Sequence, residues 1–223
     1  QGDPAQVVGA GNLSYAFSDF VMFGAGITSL PSVRSTEGQF PYWLGVDDRI
    51  TSDEFFRGSY TTGIWLKNRV TGKLNYMALV GNNLSQLGVS ATQLDNKLDT
   101  QSFMVNWLSA GEFGLYGTFG DYDDHQIVAT RLGAHYTHSL ETAQEQPGTN
   151  AIENSQIRLT DGSIIFTPNL FGPGVSVETV DYQMMSLDAG IKYRGLSLEA
   201  EYYRRWLSDF TGPNTGGIAS ITD

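Results

Sequence analysis

Cysteine is missing from all 223 residues, so disulfides and thiolate metal sites are excluded. Basic residues are scarce. Thirteen Lys and Arg face 24 Asp and Glu, a formal net charge of −11. Nucleic acid wants a basic face, so no nucleic-acid partner is expected. Long apolar runs are also lacking. The longest, Phe20 to Ile27, falls far short of the roughly 20 residues of a membrane helix. If the chain meets a membrane, it does so with strands. The sequence has no Met start and no signal-peptide pattern. Its end, Gly216 to Asp223, does not read as a finished strand. The expectation is a single β domain over residues 1–223 that lacks strands at both ends.

What is abundant is glycine, at 26, with 11 Tyr and 12 Phe. An acidic, Gly-rich, aromatic-rich chain without cysteine fits a transmembrane β-barrel. A soluble β-sandwich or lectin-like domain shares much of that profile. The pattern that separates them begins at Met184. Leu187, Ala189, Ile191 and Tyr193 fall on one face; Asp188, Gly190 and Lys192 fall on the other. After Arg194-Gly195 the alternation resumes, with Leu196, Leu198, Ala200 and Tyr202 against Ser197, Glu199, Glu201 and Tyr203. Period two broken by a two-residue turn predicts a β-hairpin. Each arm has the length of a tilted bilayer-crossing strand, about 8–14 residues. One face is apolar and the other charged.

The same unit recurs. Leu13–Phe17 and Val21–Ile27 flank Ser18-Asp19, and Arg57–Lys67 and Lys73–Asn82 flank Val70–Gly72. Thr100–Leu108 and Ile127–Ser139 complete about eight strands. Long polar loops are predicted over 30–54, 83–99 and 140–181, the last with a small hairpin around Asp161-Gly162. Loops of this length are uncommon in compact domains, yet here they occupy alternate connections. Outer-membrane barrels alternate short turns with long external loops. The connection Ser109–Gln126 breaks the parity, because it should be short.

Several phrases carry a resemblance: RSTEGQFPYWLGVDDR (Arg34–Arg49), DEFFRGSYTTGIW (Asp53–Trp65), VGNNLSQLG (Val80–Gly88), THS (Thr137–Ser139), QPGTNAIENSQIRLTDG (Gln146–Gly162) and SLDAGIKYRGLSLEAEYY (Ser186–Tyr203). Together they resemble the phosphate-selective porin O and P family of Gram-negative outer-membrane proteins, from about Gly9 to Phe210. The resemblance implies part of a roughly sixteen-stranded antiparallel transmembrane β-barrel, assembled as a homotrimer in outer-membrane lipid. It implies passive passage of small hydrophilic solutes, anions such as phosphate among them. No catalysis and no cofactor are expected. The acidic balance of this chain departs from the family's basic lumen. The competing readings are a soluble β-sandwich binding module and a barrel that serves mainly as a scaffold for a partner protein.

Parity places Arg57, Lys67, Arg131, Lys192 and Arg205 on the polar face, with His135, Glu199 and Glu201. Charges in a watery lumen select ions. The plainer reading is that they pair with Asp188, Glu199 and Glu201 and support the wall. The loop 30–54 holds an aromatic knot, Phe40 to Trp43, and is expected to fold into the lumen with Arg34, Arg49 and Arg57 near the constriction, or to pack on a neighbouring subunit. Arg204 falls on the apolar face beside Trp206 and is expected to snorkel at the membrane edge. Tyr15, Tyr60, Tyr76, Trp107, Tyr136, Tyr193, Tyr202 and Trp206 would form aromatic girdles. Asp121, Asp123, Asp124 and His125 lack the spaced ligands of a calcium loop and read as a solvated acidic segment. His138 and Ser139 are adjacent on a strand and point to opposite faces. His135 and Ser139 share a face but lie too far apart for a catalytic pair.

Overall fold

The computed structural model describes residues 11–31, 33–37, 60–85, 97–114, 118–146 and 157–223. They form one antiparallel sheet of nine strands, hydrogen-bonded in chain order. The strands are β1 (Asn12–Ser18), β2 (Val21–Ser29), β3 (Tyr60–Thr71), β4 (Leu74–Gly81), β5 (Thr100–Leu108), β6 (Ala129–Thr142), β7 (Thr179–Tyr193), β8 (Leu196–Thr211) and β9 (Ile221–Thr222). A four-residue helix, α1 (Arg34–Glu37), follows β2. The ninth strand has no counterpart in the sequence reading. It is two residues long among Gly and Ser, where no alternation shows, and it pairs with Trp206 and Leu207. The lengths of β1 to β8 run from 7 to 16 residues, a wider span than expected. The described sheet is open, with β1 and β9 as its edges.

Short turns at 19–20, 72–73 and 194–195 join consecutive antiparallel strands at one end of the sheet. Arg194 (φ 48°) and Gly195 (φ 82°) both adopt the left-handed conformation of a two-residue hairpin turn that follows strand twist. The turn after β3 falls one residue later than the sequence suggested, because a bulge between Arg69 and Thr71 adds a residue to that arm. The small hairpin around Asp161-Gly162 is present, closed by an Arg158–Ile164 bridge.

The two faces of the sheet meet different surroundings. Leu13, Leu196, Leu198, Ile191 and Tyr202 lie on the apolar face and are exposed; Leu198 keeps 69% of its surface open. The opposite face is covered over β6 to β8, and there Lys192 and Arg205 are fully buried. A water-soluble sheet arranges its residues the other way, apolar inward and charge outward.

β7 reverses phase along its length. From Leu187 to Tyr193 the apolar side chains take the exposed face, while Ser186, Gly190 and Lys192 are buried. From Val180 to Met184 the order inverts: Val180, Tyr182 and Met184 are buried, and Asp181 and Gln183 take the other face. The inverted part joins Leu207, Trp65 and Leu79 in one apolar cluster with the loop residues Leu30, Val33, Leu84, Ile157, Ile165 and Val177. On β7 the covered face is therefore apolar toward the long loops and polar toward the short turn.

Candidate functional site

The polar half of the covered face is built from β6, β7 and β8, with two connections laid across it. The first is the start of the β2–β3 connection. Leu30 and Val33 anchor in the apolar cluster, which carries α1 across the sheet to β8. There Arg34 donates to both carboxylate oxygens of Glu199, at 2.5 and 2.8 Å, and to the carbonyl of Thr118 at 3.2 Å. The Ser35 backbone N–H donates to Glu201 at 2.9 Å, and the Ser35 hydroxyl meets the Tyr203 hydroxyl at 2.8 Å. Tyr203 in turn donates to Glu201 at 2.5 Å. So the described part of loop 30–54 does lie against the polar face.

The second is the β5–β6 connection, 109–128, whose length broke the expected parity. It folds back over the sheet instead of turning away. Its carbonyls at Phe113 (2.8 Å) and Gly120 (3.0 Å), with that of Thr118, accept hydrogen bonds from Lys192 Nζ. The Phe113 ring lies 4.6 Å from the same ammonium, and the Phe119 ring lies 4.3 Å from the Arg34 guanidinium. The Thr118 carbonyl is shared by both cations. Ser197 donates to the Phe119 carbonyl.

The foot of this connection is fixed by Asp121. Its carboxylate bonds the His125 ring and accepts the Gly195 backbone N–H at 2.8 Å, which ties the loop to the β7–β8 turn. Burial alone would lift the Asp121 carboxyl, but the bonds from His125 and Gly195 outweigh it and hold the group below its ordinary value. Asp123 and Asp124 are exposed, as a solvated acidic segment would have them, but Asp121 is buried and works as a latch. Among the described residues, no group of three or more His, Asp and Glu could hold a metal ion.

The remaining candidates are placed as follows. Arg131 donates to Asp188 at 2.6 Å and to the Asn106 side chain at 2.9 Å, a cross-strand pair in the wall. Arg205 is fully buried against Asp223, with which it also exchanges two backbone hydrogen bonds. The His135 ring meets the hydroxyls of Ser102 (3.1 Å) and Thr137 (2.9 Å). Lys67 is exposed at its position on β3, and its ammonium makes no hydrogen bond or ion pair with another described residue. Arg49 and Arg57 lie outside the described residues. His138 bonds Asp181 at 2.6 Å, while Ser139 donates to Glu141 at 2.7 Å, so they engage different groups.

The structure thus gathers Arg34, Glu199, Glu201 and Lys192 into one cluster and sets Arg131 beside it. Lys67 stands apart on the β3 wall. The carbonyl acceptors of 109–128 carry no side-chain signature and were not visible in the sequence. The only sign of the latch was the four-residue spacing of Asp121 and His125. No family model, no curated protein and no solved structure matches this chain.

Proposed function

We propose that this sheet is part of the wall of a β-barrel that crosses the outer membrane of a Gram-negative cell, and that the protein passes small hydrophilic solutes. One observation carries the reading: the apolar face lies open while buried charge lines the other, an arrangement suited to lipid outside and water inside. The phase reversal of β7 supports it, since a strand that leaves hydrocarbon for water must exchange its faces. The resemblance to the phosphate-selective porin O and P family adds a homotrimer and an anionic solute to the proposal.

Of the described cations on the polar face, Arg34, Arg131 and Arg205 each face a carboxylate and Lys192 is caged by carbonyls. Lys67 retains an open charge, so it is the residue with which a passing anion would interact. The test is the reversal potential of the channel in a KCl gradient across a planar bilayer. Lys67→Glu is expected to shift it toward cations, and Arg131→Gln to leave it unchanged. Absence of conductance, or no shift with Lys67→Glu, overturns the solute pathway. A protein that stays monodisperse without detergent overturns the membrane reading.

A further inference from the structure

We infer that Arg204 and Trp206 form a binding site for the phosphate-bearing headgroup of a membrane lipid on the exposed face of β8. The inference rests on the membrane-spanning reading above. Three observations lead to it.

The first is position. Arg204 pairs with Met185, at the point where β7 reverses phase. On the short-turn side, the exposed face offers Tyr202, Ala200, Leu198 and Leu196 on β8, and Leu187, Ala189 and Ile191 on β7. On the other side it offers Gln183 and Asp181. Arg204 therefore marks the border between hydrocarbon and water, the depth of lipid phosphates.

The second is charge. From Gln183 and Trp206 down to the Arg194–Gly195 turn, the exposed face of β7 and β8 carries one formal charge, that of Arg204. Its guanidinium lies 5.1 Å from the Trp206 ring and makes no hydrogen bond or ion pair with another described residue. The nearest carboxylate on that face, Asp181, is engaged by His138 at 2.6 Å and by Gln183 at 2.9 Å.

The third is geometry. Stacking on the indole orients the guanidinium and leaves its N–H fork open, which matches two oxygens of one phosphate. Gln183 sits opposite Trp206 on β7 and accepts from Tyr136 at 3.3 Å, so a neutral polar patch flanks the cation. The acyl chains of such a lipid would lie along Leu198, Ala200 and Leu187.

The test is native mass spectrometry on protein first shown to insert into phosphatidylcholine vesicles. Three probes are added separately: dioleoyl phosphatidylglycerol, dioleoylglycerol without the phosphate, and inorganic phosphate. Phosphatidylglycerol is expected to bind best. Arg204→Gln should weaken it about tenfold, the worth of one charge-assisted contact. Trp206→Leu should weaken it by about threefold through loss of orientation. Equal binding of phosphatidylglycerol by parent and both variants overturns the site. Equal binding of inorganic phosphate assigns the guanidinium to a free anion and overturns the lipid. Failure of the parent to insert sinks the membrane reading itself, and this inference with it.

Discussion

Arg34 grips Glu199 through two hydrogen bonds, Nε to Oε2 at 2.5 Å and Nη2 to Oε1 at 2.8 Å, between residues 165 positions apart in sequence. Both side chains are largely out of solvent, so neither charge has water to fall back on. The pair fastens the start of the β2–β3 connection to β8.

Removing one partner leaves the other buried and uncompensated. Arg34→Ala is expected to cost about 3–5 kcal/mol. Urea unfolding in detergent micelles reads the loss. In the proposed channel, conductance should also rise, because the connection is released from the polar face. A variant as stable as the parent would show that the pair does not hold the β2–β3 connection in place.

Trp65 lies against Gly24, where a Cβ would run into the indole ring. Trp65 is 3% exposed and belongs to the main apolar cluster, so the ring has little room to retreat. Gly24→Ala should cost about 1–3 kcal/mol by overpacking. A lower thermal midpoint together with altered tryptophan fluorescence is the expected result. An unchanged midpoint would mean that the ring moves freely.

The Asp121 latch should respond to acid in a defined direction. Its folded-state pKa is depressed below the ordinary 3.8, so its stabilisation is complete above that value. The contribution is lost as pH falls through the lower folded value. The Gly195 amide resonance should therefore hold its shift from neutrality down to about pH 4 and move only below it. Asp121→Asn should erase that acid transition. A transition near neutral pH would contradict the latch.

Adjacent residues on β3 test the two faces. Leu66 is 43% exposed on the apolar side, and Lys67 points to the other. The chain has no cysteine, so a single introduced thiol takes a spin label at one place. Oxygen dissolved in lipid should relax the label at 66 more strongly, and a water-soluble nickel chelate the label at 67. The reverse order would refute the facing.

Much of this sheet was legible because side-chain direction in a strand has a strict period of two. Leu187, Ala189 and Ile191 against Lys192, and Leu198 against Glu199, needed only parity, and Arg194-Gly195 announced the turn. The end of β7 was harder. Val180, Tyr182 and Met184 alternate as well as the rest, but in the opposite phase, so the hairpin read from Met184 stops where its rule inverts. The partners of Arg34 and Lys192 were not legible at all. One lies six strands away, and the other is a set of backbone carbonyls that any residue could provide.

The reversal within β7 has a further consequence. A strand with one hydropathy phase could slide along the bilayer normal and lose little. In the proposed membrane wall, β7 would belong to two solvents at once, with Asp181 and Gln183 matched to one and Leu187 and Ala189 to the other. A shift of two residues, about 6.6 Å along the strand, would carry an amide or carboxylate into hydrocarbon or strip lipid from a leucine. In that proposed wall, depth would thus be set within the strand itself, and the loop chemistry above it would be held at a fixed height over the lipid.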